Sequence, residues 1–103
     1  TTLFRSDVMS NILARVELHD ADEDAYELLH NYMAALGFVR KIPQGDGTYN
    51  QLPDATYVSG AKGDLASLRE QISSYADRLG ATKASVFICE FDKSAWYLFM
   101  AND

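Results

Sequence analysis

Six carboxylates, Glu17, Asp20, Asp22, Glu23, Asp24 and Glu27, fall within eleven residues that contain no lysine or arginine. Carboxylates at this density can hold Mg²⁺ through one or two oxygens, leaving the other octahedral positions to water and a substrate phosphate. Asp20 is the natural metal ligand and catalytic carboxylate among them. Its neighbour His19 has the near-neutral pKa that suits proton transfer. The same acids also read as a helix start, with Asp20 or Asp22 as the cap and the others at the positive end of the helix dipole. Their spacing lacks the glycine and the twelfth-position acid of an EF-hand loop.

Cations are few, and Arg15, Arg40, Lys41 and Lys62 make no basic stripe. Arg15 and Arg40 are the candidates for holding a phosphate. Tyr57, with Tyr49, Trp96 and Tyr97, has the ring to stack a base, although strand aromatics more commonly pack a core or an interface. His19 and His30 are not spaced i, i+4 as a helical metal pair would be, and no Gly-x-Ser-x-Gly nucleophile elbow occurs. Cys89 sits in an apolar run and reads as a small core or interface side chain. Gly45-Asp46-Gly47 can cradle an anion, but without a phosphate-binding lysine or a following helix it reads as a hairpin tip.

Composition narrows the partners. Nine Lys plus Arg against fifteen Asp plus Glu in 103 residues leave a net charge of −6, which opposes accumulation on nucleic acid or anionic lipid. The length suits one domain, and no apolar run approaches the roughly 18–20 residues needed to span a bilayer. One cysteine cannot form an internal disulfide, and no secretory leader is apparent, so a cytoplasmic location is expected. Residues 1–10 carry no sustained period and read as an arm, with Met9 a candidate natural start, before a single domain over 11–103.

The elements that must position these groups follow from periodicity. Strict alternation from Asn11 to His19, with Ile12, Ala14, Val16 and Leu18 on one face, predicts a half-buried strand. Tyr26, Leu29, Met33 and Leu36 predict a helix ended by Gly37. Phe38–Ile42 predicts a strand that turns at Gln44–Gly47, and Tyr49–Ser59 predicts one irregular return strand bent near Pro53. Leu65, Leu68, Ile72, Tyr75, Ala76 and Leu79 predict a second helix started by Asp64 and stopped by Gly80. Ala84–Phe91 and Trp96–Met100 predict two closing strands. The order is that of a ferredoxin-like α+β fold, βαββαβ, with an additional C-terminal strand and two helices on one face of an antiparallel sheet. The other face would then expose Phe87, Phe91 and part of the last strand, which implies a homodimer or another protein partner.

The stretch Ala14-Arg15-Val16-Glu17-Leu18-His19-Asp20, the Tyr-x-x-Leu-His segment at Tyr26 to His30, Gly37-Phe38, Leu52-Pro53 and the closing Trp96-Tyr97-Leu98-Phe99 together resemble the GhoS-like family of small ferredoxin-like proteins. The likeness runs over about residues 12–100. It implies a cytoplasmic, dimeric, RNA-cleaving antitoxin with an aspartate at the end of the first strand near a divalent metal; by position that aspartate is Asp20. In such an enzyme Asp20 would position Mg²⁺, His19 or a water would move a proton, and Arg15 or Arg40 would hold phosphate. The competing expectation is a non-enzymatic module that uses its aromatic sheet face to bind a protein or its own copy.

Overall fold

The computed structural model describes residues 11–60 and 63–101. The expected arm at residues 1–10 lies outside them, as does Lys62. Seven elements follow in the order β1 (Asn11–Glu17), α1 (Glu23–Ala35), β2 (Lys41–Pro43), β3 (Tyr49–Gln51), β4 (Thr56–Ser59), α2 (Leu65–Ala76) and β5 (Ser85–Phe91). The fold is α+β. β1 runs antiparallel to both its neighbours in a sheet ordered β4-β1-β5, and β2 and β3 form a separate antiparallel hairpin. Among the described residues no strand pairs with the outer edge of β5. Among the described residues, no helix is long and apolar enough to cross a membrane.

The alternation along β1 divides two cores. Ile12, Ala14 and Val16 face both helices and pack with Leu29, Met33, Ile72 and Ala76 in the larger one. From the other side of the sheet, Leu13 meets a smaller core of Ile42, Leu52 and Val58, joined by Phe91, Trp96 and Leu98. This corrects the expectation of a bare second face. Phe91 and alternate residues of the C-terminal segment are turned inward and cover part of it, whereas Phe87 remains 63% exposed.

Both helices begin at an aspartate whose carboxylate accepts a backbone N–H three residues on: Asp22 from Ala25 and Asp64 from Ser67, each at 2.9 Å. Gly37, at φ +94°, ends α1 in the left-handed conformation expected of it. Gly80 has a different role. α2 already ends at Ala76 with Asp77 in a right-handed cap, and a Cβ on Gly80 would lie 2.6 Å from the His19 carbonyl oxygen. Close approach of two backbones, sealed by the Ala81 N–H to His19 carbonyl bond of 2.9 Å, explains that glycine.

Two expected strands differ. Residues 49–59 are two strands, β3 and β4, because Pro53 cannot donate to a ladder and Ala55 turns the chain at φ +63°. The segment Trp96–Phe99 is extended but carries no continuous ladder. It is held against β3 by Gln51 N–H to Phe99 carbonyl at 2.8 Å, Ala101 N–H to Tyr49 carbonyl at 3.0 Å and an isolated bridge between Asn50 and Met100. Buried Asn50 completes the attachment by accepting from the Trp96 indole N–H at 3.0 Å.

Candidate functional site

The first strand ends in a tight turn. Asp20 adopts φ +53°, an uncommon conformation that aspartate tolerates, and its side chain is exposed. His19 lies half-buried beside β5, with Nε2 and Ser85 Oγ 3.0 Å apart. Asp22, two residues on, is committed to the cap of α1. Among the described residues, no three His, Cys, Asp or Glu side chains converge in a way that could hold a metal ion. Asp20 offers a single exposed carboxylate.

The sequence-predicted residues divide between the two faces and the two sides of the sheet. Arg15 is exposed on the second face, opposite Thr56 of β4 and Phe87 of β5. Arg40 lies on the other side of β4, at a cleft of about 580 Å³ between the start of α1 and the turn before β4. Tyr57 reaches that neighbourhood from β4. Its ring, expected as a stacking surface for a base, is fully buried in the larger core. Arg40 and Tyr57 are thus brought together, while His19, Asp20 and Arg15 stand elsewhere.

The group that joins Arg40 and Tyr57 is His30, which sequence spacing gave little reason to choose. α1 carries it over β4, where Nδ1 lies 2.7 Å from the Tyr57 hydroxyl. Its imidazole pKa is lowered from 6.5, first by burial and then by the Arg40 guanidinium, with Glu27 and Asp54 opposing. Burial likewise pushes the Tyr57 hydroxyl up to about 12, so it stays protonated at neutral pH. The Tyr57 hydroxyl and Nδ1 are hydrogen-bonded, with the phenol able to donate to one neutral tautomer of the imidazole or accept from the other. The Tyr26 and Tyr57 rings flank the imidazole at 6.2 and 5.8 Å. The cleft can offer hydrogen bonds and one guanidinium to a ligand, but Asp22, Glu23, Glu27 and Asp54 also line it, and this balance repels a polyanion.

The glycine pair at 45 and 47 is a hairpin tip, with positive φ at both and the Asp46 carboxylate accepting from Thr48 N–H at 3.0 Å. The Thr48 hydroxyl donates to the same carboxylate. Cys89 is a free, half-buried thiol on the second face of the sheet. No protein-family model, curated protein or solved structure matches the chain.

Proposed function

We propose that the protein is a self-associating interaction module with a ferredoxin-like fold. The fold reading is supported by the order β4-β1-β5 together with the antiparallel bridge between Val39 and Val58 on the far side of β4, the sequence of neighbours that split strand-helix-strand units produce. The observation that carries the function is the outer side of the C-terminal segment, where Tyr97, Phe99 and Met100 are 87, 77 and 59% exposed. Tyr97 and Phe99 make an edge-to-face pair with centroids 6.4 Å apart, an aromatic surface of the kind enriched at interfaces. A second copy is its partner. Sedimentation across a range of concentrations tests this: the wild-type protein forms dimers, and the double variant Tyr97→Ser, Phe99→Ser is monomeric and folded. A wild-type chain that keeps its monomer mass at every concentration defeats the proposal.

A second reading, cleavage of RNA by a cytoplasmic antitoxin, is implied by the GhoS-like resemblance and favoured by one specific observation, the meeting of Arg40 with His30, itself hydrogen-bonded to buried Tyr57, at a cleft. Incubation with labelled single-stranded RNA and magnesium tests it. Cleavage lost in Asp20→Asn assigns the metal-assisted route, and cleavage lost in His30→Gln alone assigns the cleft. Intact RNA in both the wild-type and variant reactions removes the enzyme reading.

A further inference from the structure

The second face of the sheet carries a groove of about 400 Å³, between β1, β4 and the inward side of the C-terminal segment. Its walls are apolar, chiefly Leu13, Ile42, Leu52, Val58, Trp96 and Leu98. In a chain of net charge −6, the charged side chains that line it among the described residues are Arg15 and Lys93, both exposed, with no Asp or Glu beside them in the lining.

We propose that this groove binds a free medium-chain carboxylic acid, its aliphatic tail against the apolar walls and its carboxylate held by the cations Arg15 and Lys93. The tail matches the walls, the head matches the local reversal of charge, and the volume lies at the lower end of the roughly 300–1,000 Å³ usual for small-molecule sites. The inference is independent of self-association. Trp96 and Leu98 face the groove, whereas Tyr97 and Phe99 of the same segment face away from it.

Trp96 is the only tryptophan and serves as the reporter. The full chain is titrated with octanoate, octan-1-ol and octylammonium below their aggregation limits, following Trp96 emission and backbone amide shifts. Octanoate should saturate, with at least tenfold tighter binding than either comparison compound and with shifts confined to the groove. Arg15→Gln combined with Lys93→Gln should weaken octanoate at least tenfold and leave octanol unchanged. No saturable change, equal affinity for octanoate and octylammonium, shifts that map elsewhere, or a signal that tracks dimer dissociation would each overturn the proposal.

Discussion

Residue by residue, the most consequential pairing is His30 with Tyr57, which no local spacing could have disclosed because the partners are 27 positions apart and meet only when α1 crosses β4. Its effect on pH dependence has a definite sign. The folded-state pKa of His30 is depressed below 6.5, so folding favours the neutral ring, and this contribution is present above 6.5 and lost as pH falls from there through the folded value. Denaturant unfolding of the wild type should lose stability over that window, and the His30→Gln variant should lose less. Tyr57→Phe removes the hydroxyl that is hydrogen-bonded to His30 Nδ1 and should cost about 1 kcal/mol at neutral pH. At Gly80 the added methyl of Gly80→Ala meets the His19 backbone rather than a flexible side chain, so a loss of about 1–3 kcal/mol is expected in the same assay. His19 and Asp20 were conspicuous as letters, yet one is turned toward Ser85 and the other is solvated.

Elements were more legible than sites, since a period repeats its information every turn while a site is assembled once. Both helices appear with their aspartate starts, and Asp64→Ala should destabilise the fold by about 1 kcal/mol in thermal or chemical unfolding. The hairpin tip was readable from its glycines. The break between β3 and β4 was only half readable: Pro53 signalled an interruption, but the left-handed Ala55 that completes the turn has no signature in an alanine. The C-terminal segment has the in-out alternation of a strand, and that pattern does mark which residues face the second core. Its docking uses scattered bonds to β3 instead of a ladder, and pairing of that kind leaves no mark on side-chain periodicity.

Across the whole molecule, the difference between expectation and structure is a second, smaller core. With both helices assigned to one face, Phe87, Phe91 and one side of the last strand were expected to need cover from another molecule, but the chain itself provides part of that cover. Trp96→Ala should therefore cost about 2–3 kcal/mol, combining lost packing with the orphaning of Asn50, and should loosen amide-exchange protection around β3 before it affects α1 or α2. The sheet also stops at β5, whose lateral N–H and C=O groups meet no further strand among the described residues. Glu90 is the sole charge within Ser85–Phe91 to discourage a stranger from zipping onto that rim. Crowded or partly melted preparations should consequently grow by lateral accretion along β5, a route to insoluble assemblies that owes nothing to the aromatic patch or the groove.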